Sequence, residues 1–265
     1  MKVTKGHFNR KVLFFGLLLF LAISLISTGF ASWIMSTGAD KGSNGNVHVG
    51  TITDGSLEFS EIKFVNNNSE IIFDALASDK SGDIKADLTE GAKYENLSIT
   101  LTTTITPVEY VQSLSISVAL PDTVDAAAKA GYITVPSCCY VKGTTAVSVV
   151  VFEDGTVKNT DGNGIVTTVV EKDGKYEVSI TLTFGWGTQF GGKNPGIYLD
   201  EYVDGEENPM KYEDKVQKMV DFKKTIYGLT IAKNEVPAEG EKTKDEVLAY
   251  TAPLAFDILL TAVAK

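Results

Sequence analysis

The chain has 265 residues, 43% of them hydrophobic and 22% charged, and a formal charge of −10. That balance excludes a disordered chain and a multi-span membrane protein, and the length suffices for a substantial core. Lys2, Lys5, Arg10 and Lys11 sit in a leader without acids, so the rest of the chain is more acidic still and holds no arginine; such a surface clamps phosphate poorly, which disfavours nucleic acid and avid binding to anionic lipid.

The first 31 residues read as an export signal. A basic start is followed by the apolar run from Val12 to Ile26, then by small residues, and Gly29-Phe30-Ala31 fits a small-x-small cleavage site with the cut between Ala31 and Ser32. The competing reading is an uncleaved transmembrane anchor, since about 20 apolar residues span a bilayer. Both readings place the rest outside the plasma membrane, touching it only through the N-terminal helix. No LPxTG-like sorting motif is present, so covalent wall attachment by that route is not expected. Residues 32–46, rich in Gly, Ser and Asn, read as a flexible N-terminal arm, and 47–265 as one domain.

From residue 47 the dominant period is two, with dense Thr, Val and Ile, the mark of half-buried strands. Val47–Thr53 reads as a strand. Leu57–Val65 reads as another, with Leu57, Phe59, Ile62 and Phe64 as its apolar positions. Asn66 to Ser69 form a turn, and Glu70–Asp74 a short strand. Leu97–Thr106 alternates strictly through Leu97, Ile99, Leu101, Thr103 and Ile105, and Leu114–Leu120 does so through Leu114, Ile116, Val118 and Leu120. Pro121-Asp122 opens a short helix to Ala130, with Asp122 as its cap and Gly131 as its exit. Tyr132–Val135 and Val147–Phe152 read as strands. Ile165–Glu171 and Tyr176–Phe184 flank Asp173-Gly174, a strong hairpin signal because that pair accepts positive φ. Asn208-Pro209 opens a second helix to about Tyr227, with Tyr212, Val216, Met219, Val220 and Ile226 as its apolar stripe and Gly228 as its exit. Val236–Asp245 reads as a charged loop, and Pro253–Ala264 as a closing strand with Phe256, Ile258 and Leu260 on one face. About ten strands with two short helices predict a mainly β fold, a two-sheet jelly-roll-like β-sandwich behind the N-terminal signal or transmembrane helix.

The pieces Ala31-Ser32-Trp33 and Gly45 to Ile52 (GNVHVGTI) carry a resemblance. The stretch from Phe30 to Asp54 resembles the start of the TasA/camelysin family of exported Gram-positive proteins: a leader, a cut near an aromatic residue, a polar arm, and an Asn-x-x-x-x-Gly-Thr strand, matched here with three residues between Asn46 and Gly50-Thr51. The sequence departs from the family's aromatic-Asp pattern at the cut, where Trp33-Ile34-Met35 stands instead. The resemblance implies a jelly-roll subunit of a biofilm-matrix fibre, extracellular or on the cell surface, whose partners are copies of itself or other matrix proteins. It also implies assembly by donation of the arm. The candidate donor strand is then Trp33, Ile34 and Met35, whose side chains would alternate sides. The alternative is that these residues are the tail of the leader.

Catalytic sets are scarce. His7 and His48 are the two histidines, too few for a His-Glu-x-x-His metallopeptidase or a Ser-His-Asp centre. Cys138 and Cys139 are adjacent, which makes a bond between them strained and of little use. The turn region around Asp154, Asp161 and Asn163 lacks the ligand series of a calcium loop. The acidic run Asp200, Glu201, Asp204, Glu206 and Glu207 reads as solvated surface favouring the start of the second helix. The chain is therefore expected to be no enzyme and to need no metal or cofactor. One segment stands apart, Gly185 to Gly192 (GWGTQFGG) with Tyr198 beyond it. Trp186, Phe190 and Tyr198 are the candidate binding loop, a stacking platform for glycans on a surface-anchored adhesin or carbohydrate-binding module. The other reading of the same residues is an aromatic plug for one end of the sandwich.

Overall fold

The computed structural model describes residues 43–44, 47–53, 55–74, 95–158, 162–195, 198, 212–232 and 239–265. The leader, the cleavage site at Ala31 and Ser32, the candidate donor strand Trp33–Met35, Asp161, the acidic run 200–207 and the Asn208-Pro209 cap lie outside the described residues. No helix among the described residues is long and apolar enough to cross a membrane.

The fold is mainly β. In chain order the strands are β1 (Ser43–Asn44), β2 (Val47–Ile52), β3 (Glu58–Phe59), β4 (Lys63–Phe64), β5 (Ser98–Thr106), β6 (Val111–Leu120), β7 (Ile133–Thr134), β8 (Cys139–Val141), β9 (Val149–Glu153), β10 (Thr156–Val157), β11 (Ile165–Lys172), β12 (Lys175–Thr183), β13 (Gly185–Trp186), β14 (Thr230–Ile231), β15 (Glu241–Lys242) and β16 (Phe256–Ala264). The helices are α1 (Asp122–Lys129), α2 (Tyr212–Tyr227) and α3 (Lys244–Ala249). The larger sheet runs β1-β2-β16-β6-β9-β10, with β8 beside β6; the smaller runs β11-β12-β5-β3, with β4 also on β5. Two further pairs, β13 with β7 and β14 with β15, are two residues long.

Alternation explains why the two sheets meet. Strand β5 buries Ile99, Leu101, Thr103 and Ile105 and leaves the residues between half-exposed. In the larger sheet Val47 and Val49, the series from Leu114 to Leu120, and Phe256, Ile258 and Leu260 are buried in the same cluster as Ile99, Val178 and Ile180 of the smaller one. Each such side chain contributes about 1.5–3 kcal/mol when buried. The inner faces thus share one core in a sandwich-like arrangement. The hairpin forms as its turn chemistry requires, with Asp173 at φ 51° and Gly174 at φ 71° between β11 and β12. Strand β16 lies in the middle of the larger sheet, parallel to β2 and antiparallel to β6.

Four local expectations are corrected. Asp122 is the first residue of α1, not its cap; Pro121 holds the cap position and no side chain caps the helix. Glu70–Asp74 is not a strand: one bridge, Ile72 to Asn96, is all the ladder it makes, and its role is to bury Ile71, Ile72 and Phe73. The strand expected at Tyr132–Val135 shrinks to Ile133–Thr134. The expected charged loop holds β15 and the start of α3 instead. Thr243 caps α3, its hydroxyl accepting from the Glu246 N–H while the Glu246 carboxylate accepts from the Thr243 N–H at 2.7 Å. That reciprocal pair raises the number of α-helices among the described residues to three.

Candidate functional site

The Gly185–Gly192 segment folds into the end of the sandwich. Strand β13 pairs with β7, and a 3-10 turn over Thr188–Phe190 brings Phe190 back beneath it. Gly187 is required by space alone, since its φ of −93° suits any residue. A Cβ there would stand 2.2 Å from the Gly131 carbonyl oxygen. This close approach lets the Gln189 N–H donate to that oxygen at 2.9 Å and the Gly187 N–H donate to the Tyr132 carbonyl at 2.8 Å.

The two aromatics are consequently spent inside. Trp186 is 6% exposed and Phe190 fully buried. Trp186 meets Phe73 edge-on at 5.0 Å between ring centres, Phe222 at 5.2 Å and Phe190 at 5.5 Å. Phe190 also touches Tyr132 and Phe222, and Tyr198 stands edge-on to it at 6.3 Å. Lys218 of α2 covers this end, its ammonium 5.6 Å from the Phe190 ring centre and 5.2 Å from that of Tyr198; partial burial lowers its pKa. The stacking-platform expectation is therefore corrected for Trp186 and Phe190, because a buried ring offers no face to a sugar. The geometry is that of a plug.

A polar tether runs alongside. The Trp186 indole N–H donates to the Glu95 carboxylate. The Asn194 side-chain amide donates to that same carboxylate at 2.9 Å and to the Asp74 backbone carbonyl at 2.9 Å. One chain of hydrogen bonds thus joins the segments at residues 74, 95, 186 and 194, which are far apart in sequence.

The same end holds a buried cation. Lys223 of α2 is 2% exposed. Its three ammonium hydrogens find three acceptors: the Tyr250 carbonyl at 2.7 Å, the Thr251 hydroxyl at 3.0 Å and the Asp74 carboxylate at 3.4 Å. Burial lowers the Lys223 pKa, and the Asp74 charge opposes that shift. Beside it the Tyr227 hydroxyl donates to the Phe73 carbonyl at 3.3 Å, and burial pushes its pKa up. Lys223, Tyr227 and their partners fasten α2 to the segments at 73–74 and 250–251. The sequence carried a signal for this lysine: position 223 continues the stripe 216, 219, 220, 226 at helical spacing, so a lysine there has to be buried and partnered.

The remaining candidates are scattered. His48 points outward on β2, opposite Asp257 of β16. It lines a shallow groove of about 400 Å³ with Tyr140, Lys142 and Asp257, and Lys142 is paired with Asp257 at 2.6 Å. Cys138 and Cys139 are free thiols, Cys138 buried; the contact with Cys138, together with burial, pushes the Cys139 thiol up, away from the reactive thiolate. Among the described residues no group of three His, Cys, Asp or Glu side chains is placed to hold a metal. A wider groove of about 650 Å³ crosses the outer face of the smaller sheet, lined by Ser60, Lys63, Thr102, Thr104, Thr168 and Glu177 among others. Thr167, beside it on the inner face of β11, is 3% exposed, and its hydroxyl has no hydrogen-bond partner. No family model, no curated protein and no solved structure matches the chain.

Proposed function

We propose that the chain is an exported, non-catalytic structural protein, a subunit or accessory of an extracellular matrix or fibre made by a Gram-positive-type bacterium. On this reading the body is a jelly-roll-like sandwich and its N-terminal arm, freed by cleavage between Ala31 and Ser32, is given to a neighbouring copy. The observation that carries the reading is where the arm joins the body. Ser43 and Asn44 pair with His48 and Val47 of β2, the strand at one margin of the larger sheet. Over Val49–Ile52, β2 has β16 on one side and, among the described residues, no strand on the other. An open margin of this kind is a template for an added strand. The resemblance over Phe30–Asp54 and the acidic, arginine-free surface agree with such a role. Burying two of Trp33, Ile34 and Met35 in a neighbour would contribute roughly 3–6 kcal/mol before ordering costs.

The test is N-terminal sequencing of the protein recovered from the culture, together with its size by gel filtration with and without residues 32–46. A mature end at Ser32 and oligomers that vanish with the arm support the reading. Monomers regardless of the arm refute it.

A further inference from the structure

We infer that β11 is a second association edge, through which two copies of this chain pair their smaller sheets antiparallel about a two-fold axis at Thr168. The inference rests on the reading of the chain as a self-associating protein, but it uses a different margin from the arm.

Four observations carry it. First, β11 is an eight-residue strand of unbroken register whose only strand partner among the described residues is β12. Its own sequence does little to protect the edge: no proline, no bulge, and charges only at its last two positions, Glu171 and Lys172, while β10 of the larger sheet lies near part of it. Second, its solvent face is apolar where it is most open, with Val166 40% and Val170 49% exposed. Third, the run from Gly162 to Val170 carries no charge in a chain of net charge −10, so it is a place where two acidic copies can approach without like charges meeting. Fourth, the Thr167 hydroxyl is buried and lacks a partner, which costs free energy until something supplies one.

The register is set by the contacts that block the strand's start. The Ser137 N–H donates to the Asn163 carbonyl at 2.9 Å, and Pro136 packs on Gly164, so added pairing is confined to Ile165 and beyond. The two-fold that uses Ile165–Glu171 symmetrically has its centre at Thr168. It sets Thr168 against its own copy and Val166 against Val170 of the second chain on the outer face. On the inner face Thr167 meets Val169. The Glu171 carboxylate of the second copy falls diagonal to Thr167, within reach of a long side chain, and there it accepts a hydrogen bond donated by the orphan hydroxyl. Glu171 and Lys172 of each copy land over Ile165 and Gly164 of the other, so no like charges are opposed.

Directly opposed positions have Cβ atoms about 4.5–5.5 Å apart, close enough for a disulfide, whereas non-opposed ones are not. The experiment uses the full chain in a C138A/C139A background. Thr168→Cys is expected to give at least about tenfold more covalent dimer under mild oxidation than Val166→Cys, and an equal mixture of Val166→Cys and Val170→Cys chains is expected to restore cross-linking. Sedimentation of the chain with native cysteines gives the second measurement, with Val170→Lys expected to abolish this dimer. Deleting residues 32–46 is expected to leave the Thr168→Cys cross-link intact, which separates this contact from arm donation. Equal or absent cross-linking at positions 168 and 166, a Val170→Lys chain that sediments as the wild type, or a cross-link that disappears with the arm overturns the proposal.

Discussion

Trp186→Ala is the most informative single change, because two uses of the same side chain give opposite outcomes. As a plug, Trp186 fills the space between Phe73, Phe190 and Phe222, with ring centres 5.0–5.5 Å away. It also satisfies the Glu95 carboxylate through its indole N–H. Truncating a buried Phe or Trp to Ala costs about 3–5 kcal/mol through lost transfer energy and the cavity left behind. For a body of this size each kcal/mol lowers the melting temperature by about 2–4 °C, so a fall of about 6–20 °C is expected. Thermal unfolding and urea titration of the purified protein, monitored by circular dichroism, provide the assay. Trp186→Phe is the companion variant: it keeps most of the ring packing, removes the N–H, and should fall between wild type and Ala. A Trp186→Ala protein whose melting temperature moves by less than about 2 °C would refute the plug, since a loss that small is below what any buried aromatic costs.

Three neighbouring features give further expected outcomes. Gly187→Ala should destabilise by about 1–3 kcal/mol or more in the same melts, because its Cβ would overlap the Gly131 carbonyl, which is backbone and has little room to yield. Lys223→Met should cost about 3–5 kcal/mol at neutral pH by leaving the Asp74 carboxylate without its cation. It should also change the pH profile. The folded Lys223 pKa lies below its ordinary 10.5, so between the two values the unfolded chain binds more protons and this group makes stability rise with pH; urea midpoints measured up that alkaline window should lose the rise in the variant. Thr243→Ala should raise hydrogen exchange in Lys244–Ala249 and lower stability in the same melts by about 0.5–2 kcal/mol, because it removes the cap of a short helix whose Val247 is buried with Val216 and Val220 of α2. The Glu246 carboxyl is held below the usual carboxylate range, chiefly by the Thr243 backbone N–H and then by its hydroxyl. The cap's contribution is therefore present above the ordinary carboxylate pKa and lost in acid, as pH falls through the lowered value.

Periodicity carried most of the body. The strands β5, β6, β12 and β16 were legible because one inner face of alternating Ile, Leu and Val leaves few other arrangements. The Asp173-Gly174 and Asp154-Gly155 turns were legible because only a few residues tolerate positive φ, and both pairs adopt it. The illegible parts depended on distant partners. Glu70–Asp74 has strand composition, but its neighbours in space are α2 and the aromatic plug, so it packs without a ladder. Thr243-x-x-Glu246 was a readable capping pattern hidden by the charge of its surroundings. Trp186 and Phe190 were ambiguous from composition, because aromatics between glycines suit an open platform and a tight internal turn equally. The packing of Gly187 on Gly131, a contact between segments far apart in the sequence, decides between them.

The placement of β16 sets a timetable for the molecule. Its nine residues slot between strands that leave the ribosome well over a hundred residues earlier, and both neighbours hold it along most of its length. Until Phe256–Ala264 emerges, β2 and β6 have no strand to join them, and the core lacks Phe256, Ile258, Leu260 and Ala262. On the proposed export route, a chain delivered N-terminus first would be kept from closing its larger sheet by its own topology, and would stay threadable until β16 has followed.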